Sequence, residues 1–190
     1  VSESNVNVDE IFANWVRQRI IAHFIRKTYE KYRKYEEQKA DNEFYVHEIL
    51  NWYFGFGDFE YTNPPGRVIV GDAVDDYLKN ALESKHPVIS IRLRILDNEY
   101  VITGKPDAVI PFADRVYAVE IKNSKSLKQY HVIQTWIYAY LLRHSGYDNV
   151  KCCVVVLGDR LEVHVFEPNY EFVDKLLEAF IRARNDSAVR

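Results

Sequence analysis

The sequence predicts a mixed α+β protein: a central mixed sheet of about five strands, flanked by helices, with a helical extension at the N-terminus. Three observations predict it. Runs rich in Val, Ile and aromatic residues recur between residues 88 and 122 and again between 150 and 167. A run with apolar residues at helical spacing separates them at 126–144. Helical patterns also open and close the chain. The resulting order, α-β-β-β-α-β-β-α, is that of a sheet covered by helices.

Residues 8–56 read as mostly helical, with Ile11, Trp15, Ile20, Phe24 and Tyr32 among the apolar positions. Residues 58–66, containing Asn63-Pro64-Pro65-Gly66, read as a linker or loop. That break divides an N-terminal extension, 1–66, from a core at 67–190. A helix over about 71–84 carries the stripe Val74, Tyr77, Leu78, Ala81 and Leu82. Strands follow at 88–96, 99–110 and 115–122, with Asp97-Asn98 as a tight turn and Pro111–Arg115 as a hairpin loop. The helix from Ser126 to His144 opens on an S-x-x-Q capping box, Ser126 with Gln129. Leu127, Tyr130, Ile133, Ile137 and Leu141 form its stripe, and Gly146 stops it. Strands at 150–157 and 160–167 flank Gly158-Asp159, a hairpin signal. A last helix runs from Tyr170 to about Arg184.

At 190 residues with 47% hydrophobic content, the chain is long enough for a real core. A span needs about 18 consecutive apolar residues, and none occurs. No signal peptide is evident. A cytoplasmic protein without a membrane contact is the expectation. The net charge of −3 argues neither for nor against nucleic acid. Local clustering says more. Arg17, Arg19, Arg26, Lys27, Lys31, Arg33, Lys34 and Lys39 are interleaved with Tyr29, Tyr32 and Tyr35. Basic groups contact phosphates and aromatic rings stack on unpaired bases, although a charged helix face balanced by Glu30, Glu36 and Glu37 has the same pattern. Arg92 and Arg94 read as the outward face of a strand near a DNA entrance. His23, His47, His86, His131 and His164 are scattered and read as structural.

The chemistry concentrates in Gly104-Lys105-Pro106-Asp107 and Glu120-Ile121-Lys122. Side chains alternate along a strand, so Glu120 and Lys122 share a face and Ile121 takes the other. If the hairpin is symmetric about Ala113-Asp114, residue 112 faces 115 and Asp107 lies opposite Glu120. Opposed side chains on one face stand about 4.5–5.5 Å apart at Cβ. Two carboxylates that close repel unless a cation lies between them. Hard oxygen donors suit Mg²⁺ or Mn²⁺. Taken singly, Pro-Asp also fits a turn and E-x-K a solvated strand. On the following helix, Gln134 and Tyr138 are four apart and share a face.

G-K-P-D, then E-I-K, then Gln134-Thr135-Trp136-Ile137-Tyr138, resembles the PD-(D/E)XK nuclease superfamily with its restriction-endonuclease-like core. The Q-x-x-x-Y element is similar to that of its RecB-type branch, which includes the CRISPR-associated RecB-like exonucleases. The likeness spans roughly 67–167. An upstream G-x-x-φ-H motif of that branch corresponds to Gly71–Asp75, where Asp75 stands in place of histidine. The resemblance implies that Asp107, Glu120, the backbone carbonyl of Ile121 and Asp75 hold the divalent ion. It implies that Lys122 positions the attacking water, and that Gln134 and Tyr138 orient the strand or Lys122. The implied activity is hydrolysis of DNA phosphodiesters, exonuclease-like on single strands or ends. Implied partners are DNA and either a second copy of the chain or a DNA-processing protein. A junction resolvase, a restriction-type endonuclease and a non-catalytic DNA-binding protein remain alternatives. The CRISPR-associated members carry an iron–sulfur cluster on four cysteines. Here only Cys152 and Cys153 exist, adjacent on a strand and therefore on opposite faces. No cluster is expected, and both read as buried structural thiols.

Overall fold

The computed structural model describes residues 7–24, 41–55 and 87–188. Its elements are α1 (Val8–Phe24), β1 (Glu43–Tyr45), α2 (Val46–Phe54), β2 (Ile89–Ile95), β3 (Asn98–Gly104), β4 (Ala108–Phe112), β5 (Arg115–Lys122), α3 (Gln129–His144), β6 (Val150–Leu157), β7 (Leu161–Phe166) and α4 (Tyr170–Ala188). The fold is mixed α+β, with one sheet ordered β1-β3-β2 and another ordered β4-β5-β6-β7.

The strands exceed the five expected, for two reasons. The run expected as one strand over 99–110 breaks at Lys105-Pro106-Asp107 into β3 and β4, which belong to different sheets. Pro106 has no N–H to give a ladder. The Asp107 N–H goes instead to the Glu120 side chain. The second addition is β1, inside the stretch expected as mostly helical. It pairs parallel with β3, Glu43 against Val101 through Tyr45 against Thr103. Three residues are too few to show a period. The linker at 58–66 and the helix at 71–84 lie outside the described residues.

Two turns and one helix start shift from their expected places. Ile95 pairs with Asn98, so the β2–β3 turn is Leu96-Asp97. Both take positive φ, 49° and 67°, the backbone whose twist matches a two-residue hairpin. Leu157 pairs with Leu161, so Gly158–Arg160 makes a three-residue loop rather than a two-residue one. A Cβ on Gly158 would stand 2.9 Å from the Ser124 carbonyl oxygen, so glycine there lets the 123–128 loop pass closely. Helix α3 does not start on a Ser126 box. Its N-cap is Lys128, and the His131 Nδ1 accepts the Lys128 N–H at 3.2 Å. The side chain three residues into the helix reaches back to the N-cap N–H, the half of a capping box expected of Gln129, moved two residues along the chain. The Ser126 carbonyl accepts instead from the Ser124 hydroxyl.

Two cores lie on opposite faces of β5 and β6. Ala118 and Cys152 point into one, with Ile133, Ile137 and Leu141 of α3 and residues of α2 and α4. Tyr117, Val119, Ile121 and Cys153 point into the other, against Phe12, Ala13 and Val16 of α1. The Phe12 and Tyr117 rings lie nearly parallel with centroids 3.5 Å apart. Cys152 and Cys153 are free, buried and on opposite faces, as the strand reading expected. Strands β5 and β6 run parallel, and α3 is the crossover between them. It touches β2 and β3 as well as β5 and β6, so it bridges the two sheets over the break that Asp107 occupies. No described helix is long and apolar enough to cross a membrane.

Candidate active site

The β4–β5 hairpin sets the site. Its two-residue turn is Ala113-Asp114, with Ala113 at φ 54°. Phe112 pairs with Arg115, and the ladder continues to Ala108 with Val119. One further step brings Asp107 beside Glu120, the register expected. Past the ladder, side chains take over from backbone. The Asp107 N–H donates to Glu120 Oε1 at 3.1 Å, and the Ile121 N–H donates to Asp107 Oδ2 at 2.7 Å. Each carboxylate is therefore held by the strand that carries the other. Lys122 Nζ stands 2.8 Å from Glu120 Oε2.

Asp107 is 8% and Glu120 3% exposed. Burial costs a carboxylate dearly unless it is paired. Here the two acids lie side by side, and Lys122 pairs with Glu120. Burial first, and then the Asp107 charge, push the Glu120 pKa up to about 7, against the pull of Lys122. Burial works against the Lys122 ammonium, but Glu120 and Asp107 outweigh it and hold its pKa above the usual lysine range. The Asp107 charge thus raises the proton affinity of its neighbour, and Lys122 pairs with that neighbour.

Helix α3 covers these groups. Gln134 Nε2 donates to the Tyr138 hydroxyl at 3.2 Å. Burial, followed by the Glu120 charge, drives the Tyr138 pKa well above its ordinary value, so the phenol stays neutral. Gln134 Oε1 is buried with no partner. Turning the amide over would let the Tyr138 O–H donate to that oxygen and free the NH₂ instead. In either orientation one end of the amide is left for something else to bind.

The structure thus brings together Asp107, Glu120, Lys122, Gln134 and Tyr138. The Ile121 side chain points away into the α1 core, and its backbone N–H is the one that clamps Asp107. Asp75 lies outside the described residues, as do Arg26 to Lys39 of the basic run. Among the described residues no group of three or more His, Cys, Asp or Glu is placed to hold a metal. Arg92 and Arg94 are exposed on β2, as expected. Glu48 is a cap: its Oε2 accepts the Tyr45 N–H at 2.8 Å.

Two residues gain roles that the sequence reading did not assign. A Cβ on Gly104 would lie 2.7 Å from Tyr138 Cε1 and 2.8 Å from Leu141 Cδ1. Gly104 therefore lets the Tyr138 ring lie on β3, which sets the height of α3 above the acids. The other is His131, 8% exposed and three residues before Gln134. The H-x-x-Q spacing was the available signal, because positions three apart share a helix face.

No protein-family model matches the chain. No curated protein matches it. Six chains of solved structures do match. One is the crystal structure of SSO0001, with a TM-score of 0.59 at 18% identity, covering 92% of this chain and 86% of that one. At that identity the likeness shows a shared fold.

Proposed function

We propose that the protein is a metal-dependent deoxyribonuclease, hydrolysing DNA phosphodiester bonds on single strands or ends. One observation carries the reading: two buried carboxylates are clamped side by side, with a lysine paired to one of them. That donor set fits a hard divalent cation. The oxygens of Asp107 and Glu120 would hold Mg²⁺ or Mn²⁺, and the Ile121 carbonyl and Asp75 are the further ligands that the family resemblance suggests. The ion supplies a Lewis acid and an acidified water at the phosphate. Lys122, a fixed cation beside the acids, offsets charge that builds on the phosphate oxygens. The unpaired end of the Gln134 amide is a hydrogen-bonding group for the strand, and Tyr138 holds that amide in place.

The test incubates end-labelled single- and double-stranded DNA with the protein, with and without Mn²⁺, beside a Lys122→Ala control. Mn²⁺-dependent cleavage that the control loses by about 100-fold or more supports the reading. Equal cleavage by the control would sink it. Absent cleavage together with absent Mn²⁺ binding in a calorimetric titration would leave a non-catalytic protein on this fold.

A further inference from the structure

We propose that His131 is a substrate-binding residue: as a neutral imidazole it donates its Nε2–H to a phosphate oxygen of a nucleic-acid strand lying against the N-terminus of α3. The proposal rests on the nuclease reading only in taking nucleic acid as the source of the phosphate.

The tautomer follows from one hydrogen bond. Nδ1 accepts the Lys128 N–H, so Nδ1 carries no proton and the proton of the neutral ring is on Nε2. The side chain is mostly buried, yet among the described residues Nε2 makes no hydrogen bond and is not one of the buried unpartnered atoms, so this edge of the ring is open to a ligand. Burial, then Lys122 and Lys128, lower the His131 pKa to about 4, so the ring is uncharged at neutral pH. Those same two lysines and the N-terminal end of a 16-residue helix create positive potential around it. A phosphate suits such surroundings.

Position ties the donor to the site. Residues 131, 134 and 138 lie on one face of α3. Tyr138 rests on Gly104, Gln134 bonds it, and His131 forms the end of the column at the first turn. A strand with one phosphate at Lys122 would bring a neighbouring phosphate toward this end.

A cap and a phosphate donor can be separated, because each imidazole nitrogen has an amide mimic. In His131→Asn the Oδ1 can still accept the Lys128 N–H, but the Nε2 donor is gone. In His131→Gln an N–H donor reaches the Nε2 position, but the cap is lost. Binding of a fluorescein-labelled 20-nucleotide single strand is measured by anisotropy in EDTA, where nothing is cut, alongside thermal melts. We expect His131→Asn to keep the wild-type melting temperature and bind roughly 10- to 100-fold more weakly, the loss of one hydrogen bond to a charged acceptor. We expect His131→Gln to melt lower and bind within a few-fold of wild type.

Salt dependence gives a second readout. A neutral donor releases no counterion, so His131→Asn leaves the slope of log K against log salt unchanged. Each lost cationic contact would flatten it by about 0.7 for a single strand. Wild-type affinity in His131→Asn overturns the proposal, and so does a flattened slope. Wild-type protein that fails to bind the oligonucleotide overturns it as well. If wild type binds but does not cleave with Mn²⁺, the nuclease reading fails alone, and the two variants still decide the role of His131. If wild type cleaves and His131→Asn matches it in both assays, this inference alone fails.

Discussion

The two faces of β5 each carry an acid cluster, and the clusters balance their charge differently. On the α1 side, Asp9 Oδ1 accepts from the Tyr117 hydroxyl at 2.7 Å and from Arg115 Nη1 at 3.1 Å. Arg115 also reaches Asp114, but Asp114 is on the surface, where water compensates it. One acid, one arginine and one phenol close on each other across the α1–β5 interface. On the α3 side, two buried carboxylates, Asp107 and Glu120, are clamped side by side, and Lys122 pairs with Glu120. The fold brings two like charges together in its interior. A structural cluster has no reason to keep such a cost, whereas a cation site does.

The largest expected effects separate these clusters by metal. Asp107→Asn keeps the side chain's size and removes its charge. Mn²⁺-dependent cleavage should fall by about 100-fold or more. The rise in melting temperature that saturating Mn²⁺ gives the wild type should vanish. Any substitution at Asp9 should leave that metal-induced rise intact. If Asn at 107 preserved the rise, the contrast between the two faces would collapse.

The next effect is on pH. Glu120 has a folded pKa of about 7 against an ordinary 4.5. Between those values the native state holds a proton that the unfolded chain has released. Metal-free stability from this group is therefore full below about pH 4.5 and is lost as pH rises through 7. His131 acts in the opposite sense: its pKa is lowered to about 4 from 6.5, so its contribution is full above 6.5 and lost as pH falls through 4. The two slopes overlap in acid. Glu120→Gln isolates the first, because glutamine mimics the neutral carboxyl. Denaturant unfolding in EDTA should show wild type and Glu120→Gln nearly equal at pH 4.5. The variant should be more stable by a few kcal/mol at pH 8, an order-of-magnitude figure from the shift. A gap that stays constant with pH would refute the assignment.

The carboxylate register was legible in the sequence because a strand's period of two leaves little freedom. Once Phe112 faces Arg115, Asp107 must approach Glu120. The opposite burial of Cys152 and Cys153 followed from the same alternation. The break at Pro106 was less legible. Apolar residues flank it on both sides, Val101-Ile102 and Ala108–Ile110, and the missing proline N–H, together with a side-chain acceptor 13 residues on, ends the ladder. The start of α3 was misread because S-x-x-Q fits a local cap. His131 wins by folding its ring back over the first turn, a choice made by tertiary burial. Gly104 read as part of a motif, but its partner Tyr138 lies on another element 34 positions away, beyond any local pattern.

A substitution at Gly104 tests how tightly that helix height is set. Gly104→Ala places a methyl within 3 Å of Tyr138 and Leu141, both held in a packed core. Overpacking of this kind costs roughly 1–3 kcal/mol. If α3 lifts to accommodate it, the Gln134–Tyr138 pair moves away from the acids, and cleavage should fall more than the stability loss accounts for. Stability lost with full activity retained would mean that the tyrosine's height does not matter to the chemistry.

The smallest expected effect is the most direct comparison of the two faces. Asp9→Asn retains Oδ1, the atom that accepts from both Tyr117 and Arg115, and removes only the charge. A partly exposed ion pair is worth about 1 kcal/mol or less. The variant should therefore lose about that much stability in EDTA at pH 8. At the same pH, Glu120→Gln should gain stability, although it is the same carboxylate-to-amide change in the cluster on the other face of β5. The sign differs because one carboxylate sits in a closed cluster and the other is repelled by a neighbour. Two losses of equal sign would mean that both clusters are structural, and the α3 pocket would no longer require a cation.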